Sequence, residues 1–194
     1  MLWNRSLIMV DSPTNSLWSH LLGEAMQGTL KGKRLKLLPG EMLTWEAWRK
    51  AHPKTTVLAM TRTHRAYTSE FYKRPEAFVL GWVFGGRPYH ASFTVSSGNT
   101  VLNCTSGREP LLVTFDRSST AARLFSRRVG EDVLDFKLHQ DNRLRDSQTG
   151  TTWDAATGEA VAGPLEGKRL TQRAGIMSYR RAWQTFHPHS TPIQ

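Results

Sequence analysis

Two glutamates, Glu24 and Glu159, stand in the same setting: Gly-Glu-Ala, then Gly, Leu, Gly and a Lys-Arg pair. They are the residues whose type and pairing could do chemistry, because two carboxylates can divide acid and base roles when their surroundings separate their pKa values. A sequence that carries a motif twice, however, carries two glutamates whether or not either reacts. The alternative is structural: each glutamate caps backbone amides or pairs with basic residues downstream, Lys33 and Arg34 for Glu24, Lys168 and Arg169 for Glu159. That reading is the stronger of the two.

Aromatic residues follow the same pattern. Trp18, Trp48, Trp153 and Trp183 offer large faces and a polar N–H, which suits a ligand pocket but suits packing of strands against a helix better. The candidate ligand-binding set is therefore Trp18, Glu24, Lys33, Arg34, Trp153, Glu159, Lys168 and Arg169, with no catalytic residue assigned. His52 and His187 each precede proline, where capping a helix end is the simpler role than binding metal. His187-Pro188-His189 lacks a nearby third ligand. No metal site and no cofactor is expected, and no nucleophile elbow, phosphate-cradling glycine loop or metalloprotease helix motif occurs.

The elements that must position these residues come as a repeat. Asp11 to Pro53 superposes on Asp146 to Pro188 at a constant offset of 135 residues without a gap. Each copy reads W-x4-G-E-A-x2-G-x-L-x-G-K-R-L, then W-x3-H-P after twelve residues. Matches of Trp and His at fixed distances are not low complexity, and the period is far longer than the roughly 20–50 residues of solenoid units. The organisation predicted is a first repeat over residues 1–58, a connecting segment over 59–76 and a second, more complete repeat over 77–194, together one compact domain. Only the second repeat is preceded by a long strand-rich stretch, residues 77–140. The first is read as truncated at its front, leaving an exposed edge strand through which a homodimer could form.

Turn chemistry and periodicity supply the local reading. Phe78 to Phe84, Gly85-Gly86 and Tyr89 to Val95 predict a hairpin, with Pro88 at an edge or a strand start. Pro110 to Phe115 predicts a buried strand. Val133 to His139 alternates, with Leu134, Phe136 and Leu138 on one face. Within the first repeat, Glu24 to Gln27 and Lys33 to Leu38 predict short strands between glycines. Thr44 as N-cap, Glu46 in the first turn and Pro53 beyond the end predict a helix that puts Trp48 and His52 on one face, as with Trp183 and His187. The fold class is α+β, mainly β: a duplicated β-rich unit, short strands plus one closing helix per repeat, with pseudo-twofold internal symmetry.

The chain has 194 residues, a net charge of +10 and one cysteine, Cys104, which excludes a disulfide framework or a multi-cysteine metal site within one chain. The charge would suit nucleic acid, but it is spread: the net values are +4 for residues 1–58, +4 for 59–140 and +2 for 141–194. Its two clusters, Lys31-Lys33-Arg34-Lys36 and Arg123-Arg127-Arg128, are far apart in sequence. Binding through them would be steeply salt-dependent. No run approaches the roughly 18 apolar residues of a membrane span, and the apolar run Leu7 to Val10 is too short for a signal peptide. As written, the chain predicts a cytoplasmic location.

Asn4 to Asp11, Gly23-Glu24-Ala25, Lys33 to Pro39 and Thr44-Trp45 to His52-Pro53 together resemble the prokaryotic family known as domain of unknown function 3179. Thr157 to Leu170 resembles that family's other half, and Phe78 to Gly86 with Val101 to Phe115 resembles the stretch leading into it. Many members look exported or lipid-anchored, and longer ones carry Cys-Pro-x-Cys ahead of the first repeat. Here the only cysteine lies ahead of the second repeat, so a thiol or metal role drawn from that motif has no support. The resemblance implies no activity. The reading therefore leans away from an enzyme, towards a non-catalytic module that binds a small ligand or a protein partner. An enzyme or metal-dependent site between the repeats, and nucleic-acid binding, are the alternatives.

Overall fold

A computed structural model describes residues 2–3, 6–58, 74–93 and 100–193. Most of the expected connection, residues 59–73, and the end of the expected second hairpin strand, residues 94–99, lie outside the described residues. Strand dominates, with two short helices and several small sheets.

The first sheet is an antiparallel meander of β1 (Leu2–Trp3), β2 (Ser6–Val10), β3 (Leu17–Ser19) and β4 (Glu24–Gln27). Helix α1 (Trp45–Ala51) follows after a stretch with no regular structure, and Thr44 caps it by accepting the Ala47 N–H at 3.3 Å. Next come β5 (Phe78–Phe84) and β6 (Arg87–Ser92), joined at Gly85 and Gly86. Both glycines have φ > 0, at 56° and 76°, as a two-residue hairpin turn matching strand twist requires. Pro88 sits at the start of β6, opposite Val83.

Strands β7 (Thr100–Ser106), β8 (Glu109–Asp116) and β9 (Ala121–Ser126) form a second meander. A two-stranded ribbon, β10 (Arg128–Val129) and β11 (Asp132–Val133), leads to a third: β12 (Phe136–Leu138), β13 (Arg143–Asp146), β14 (Thr152–Asp154) and β15 (Ala160–Ala162). The C-terminal elements then thread back. Strand β16 (Gln172–Arg173) joins β9, β17 (Ile176–Tyr179) joins β5, α2 (Arg180–Phe186) crosses that sheet, and β18 (Thr191–Ile193) pairs parallel with β6.

The layers explain the strand patterns. Phe78, Leu80 and Trp82 of β5 meet Leu111, Val113 and Phe115 of β8 in one core. Leu112 on the opposite face of β8 joins Phe125, Leu134, Phe136, Leu144 and Trp153 in a second. Strand β8 is thus covered on both sides, which is why Pro110 to Phe115 reads as a continuous apolar run rather than an alternation.

Two expected strands differ. Lys33 to Leu38 forms only one isolated bridge, Arg34 to Glu24, and every residue from Lys33 to Leu38 is exposed. An extended segment becomes a strand only where a neighbour offers a ladder. At the positions 135 residues on, Gln172–Arg173 finds the edge of β9 and pairs. Val133 to His139 is broken in two: Leu134 and Phe136 are buried, whereas Leu138 is exposed. Side chains substitute for the ladder there, with Asn103 bonding both the N–H and the C=O of Phe136 and Gln148 accepting the Asp135 N–H.

Candidate functional site

The site builds from a short loop that occurs twice. Asp11 accepts from the Thr14 N–H and hydroxyl and, at 2.8 Å, from Trp18 Nε1. Asp146 accepts from the Thr149 N–H and hydroxyl and, at 2.9 Å, from Trp153 Nε1. The indole bond, then those from Thr14, hold the Asp11 carboxyl below its ordinary range. Burial works to raise the Asp146 carboxyl, and the bonds from Trp153 and Thr149 outweigh it, so that group is lowered too. Gly28 and Gly163 lie so close to the loop that a Cβ would stand 2.8 Å from the Cα of Ser16 and 2.9 Å from that of Thr151. Only glycine fits there.

The glutamates are held within their own segments. Arg34 Nε donates to Glu24 at 3.0 Å and Arg169 Nη2 to Glu159 at 2.6 Å. Lys33 and Lys168 are exposed beside them. Trp153 is wholly buried, with Phe136 edge-on to it at 5.7 Å, while Trp18 is only half-buried. The packing role read for the tryptophans thus holds fully for Trp153 and by half for Trp18.

The helices repeat the contrast. Trp48 packs at a tilt against His52 with centroids 4.0 Å apart and donates to Thr55 Oγ1 at 2.9 Å. Trp183 packs at a tilt against His187 at 4.1 Å and donates to Ser190 Oγ at 2.8 Å. Local geometry is the same, yet Trp183 is fully buried against β5 and Trp48 is half-buried.

Trp48 faces an open groove of about 950 Å³ whose other walls include Asp116, Arg123, Ala156 and Arg169. Of the eight candidate ligand-binding residues, Arg169 alone is among its walls. Across it Glu41 accepts from Arg123 Nε at 2.8 Å and Nη2 at 2.9 Å, and from Gln172 at 3.3 Å. The Thr44 N–H donates to the Ser119 C=O at 3.0 Å. Three charges of the groove walls are paired: Arg123 with Glu41, Arg169 with Glu159, Asp154 with Arg143. Burial tends to raise the Asp116 carboxyl, but hydroxyls of Ser119 and Ser118 bring it below its usual range. The two arginines of the walls are thus already committed to carboxylates, which disfavours a strongly anionic ligand.

The cluster Arg123-Arg127-Arg128 does not form a surface patch. Arg123 and Arg127 are buried, the second paired with Asp135 and donating to the Leu134 carbonyl. Cys104, half-buried on β7, has its thiol pushed up to about 11, chiefly by burial. No group of three or more His, Cys, Asp or Glu that could hold a metal ion occurs among the described residues. No helix among them is long and apolar enough to cross a membrane. Sequence reasoning did not reach Glu41 and Ser119 and read Arg123 only as part of a basic cluster, because 82 residues separate the ion pair and neither partner carries a motif.

The model of a family described only as protein of unknown function, DUF3179, matches residues 1–190. The chain belongs to the DUF3179 family. No curated protein and no solved structure matches it. In this DUF3179 protein, function has to be read from what the groove and its surroundings can accept.

Proposed function

We propose that this DUF3179 chain is a non-catalytic binding module made of two copies of one unit, and that residues 1–58 carry its partner-binding surface. The carrying observation is the uneven distribution of exposed apolar side chains. Of seventeen large ones exposed among the described residues, eleven fall within residues 1–58, including Leu35, Leu37, Leu38, Trp45, Val57 and Leu58. Concentration of apolar surface in one region marks an interaction site, whereas single exposed apolar residues are ordinary. Polypeptide is the partner this surface suits, since the exposed side chains are largely apolar and Arg123, Arg169 and Asp154 of the groove are already paired. In this reading Trp18, Glu24, Lys33 and Arg34 frame the surface, and Trp153, Glu159, Lys168 and Arg169 hold the matching turn 135 residues on.

The test compares the chain with a triple variant, Leu37→Ser, Leu38→Ser and Leu58→Ser, using anilinonaphthalene sulfonate fluorescence, alongside a broad hydrolase and oxidoreductase panel. Expected are a loss of more than half the dye signal in the variant and no turnover by either protein. Dye binding unchanged by the substitutions, or turnover abolished by Glu24→Gln or Glu159→Gln, would overturn the proposal.

A further inference from the structure

Four arginines among the described residues are drawn out of water, Arg123 and Arg127 fully, Arg143 and Arg180 in part. Three of them meet a carboxylate: Arg123 meets Glu41, Arg127 meets Asp135 and Arg143 meets Asp154. Arg180 meets none. Its Nη2 donates to the Glu76 C=O at 2.8 Å, and its Nε is buried without an acceptor among the described residues. A carbonyl fixes the guanidinium in place but leaves its charge without a counter-ion. Burial, and then that charge, lower the pKa of His90. Arg180 lines a cavity of about 830 Å³ whose walls include Arg74, Glu76, Tyr179, Arg181 and Thr185. Arg74 and Arg181 are exposed, and Glu76, the one carboxylate of the walls, reaches Arg74 Nε at 3.6 Å. Three guanidiniums against one carboxylate leave a surplus of two positive charges, on Arg180 and Arg181. Their placement is also unfavourable for stability, since both open α2, where the helix dipole disfavours cations, whereas the first turn of α1 carries Glu46.

We propose that this cavity binds a small organic phosphate monoester, with Arg180 and Arg181 as counter-charges to the phosphate and Tyr179 against the organic part. It is a second site, apart from the surface at residues 1–58. A phosphate monoester is close to a dianion at neutral pH, its second pKa lying near 6, and so matches the surplus of two charges. Guanidinium forks donate to phosphate oxygens in parallel pairs. A dicarboxylate spreads the same charge over two heads, whereas the surplus here lies on adjacent residues and suits one head. The cavity is far larger than a bare ion fills and falls within the roughly 300–1,000 Å³ of organic-ligand sites. Tyr179 supplies its flat wall: the residue is 51% exposed, and Phe78 packs on its ring with centroids 4.2 Å apart. The groove at Trp48 differs in counter-charge, since Arg123 and Arg169 of its walls are both taken by glutamates.

The experiment titrates phenyl phosphate, inorganic phosphate and succinate separately into the full chain by calorimetry at low ionic strength. Expected is one saturable site for phenyl phosphate, with inorganic phosphate, which lacks the ring, and succinate, which lacks the single dianionic head, each bound about tenfold more weakly or worse. Arg181→Gln, a change at an exposed side chain, should weaken phenyl phosphate by about tenfold or more, as loss of a charged hydrogen-bond donor does. Arg108→Gln removes an equal charge from an exposed turn elsewhere and should leave the affinity unchanged. No saturable binding in the millimolar range, equal affinity for phenyl phosphate and inorganic phosphate, tighter binding of succinate, or equal losses in the two arginine variants would overturn the inference. The cavity shares no residue with residues 1–58, so this result and the dye result stand or fall separately.

Discussion

Glu41 receives two hydrogen bonds from Arg123, at 2.8 and 2.9 Å, tying the irregular stretch before α1 to the middle of β9. Both side chains are largely withdrawn from water, Arg123 to 7% exposure and Glu41 to 19%. Removing one partner strands a buried charge. Glu41→Leu should therefore destabilise the chain by about 3 kcal/mol, whereas Glu41→Leu combined with Arg123→Met should cost less than the sum of the two single changes. Urea denaturation of the four proteins closes that cycle.

Gly81 makes a second, steric prediction. A methyl group there meets the rigid ring of Trp183, so Gly81→Ala should cost about 1–3 kcal/mol. In a Trp183→Leu background the same substitution should cost much less. Equal effects in the two backgrounds, measured by thermal unfolding, would show that the ring and the glycine are not coupled.

Trp153 and Trp18 make one hydrogen bond in two environments. Trp153→Phe leaves a buried aspartate without its indole donor and should cost about 2–3 kcal/mol. Trp18→Phe should cost clearly less, because water can replace the donor at Asp11. Parallel chemical denaturation of the two variants checks the order.

Acid should weaken the fold from near neutrality. Burial, then the Arg180 charge, lowers the pKa of His90. Burial also lowers that of His187, opposed in part by a hydrogen bond with the Leu21 backbone. Both rings resist protonation when folded, while the unfolded chain takes up protons near pH 6.5. Stability is thus full above about pH 6.5 and declines as pH falls from there towards the folded values. Thermal midpoints between pH 8 and pH 5 should show this slope, and His90→Asn with His187→Asn should flatten it.

Cys104 should react slowly. With its thiol raised to about 11 by burial, little thiolate exists at pH 8. Labelling with a disulfide reagent should be slow in buffer and rapid in urea, and equal rates would place the thiol in water.

What sequence reasoning reached was local. The Gly85-Gly86 hairpin, the Thr44 cap and the doubly apolar run of β8 are each decided within a few residues, and each appears in the fold. What it did not reach depends on neighbours far along the chain. Lys33 to Leu38 has the composition of a strand but no ladder, and Leu138 continues an apolar alternation into solvent. Arg123 and Arg127 look like surface charge until Glu41 and Asp135 are brought to them. The glutamates were legible as partners of the downstream arginines, since a turn joins each pair within ten residues.

The loop closed by Asp11 and Trp18 spans seven residues, as does that of Asp146 and Trp153. Closing so short a loop carries little chain entropy and needs no distant strand. Such a unit can therefore complete itself early in folding, ahead of whatever comes to lie on it. One of the two ends up walled in by three sheets' worth of aromatic and aliphatic packing and the other stays at the surface, with the same bonds drawn in both. The shape of the Asp11–Trp18 loop is consequently made by its own bonds, and a partner bound where we propose would spend its energy on contact rather than on ordering that loop.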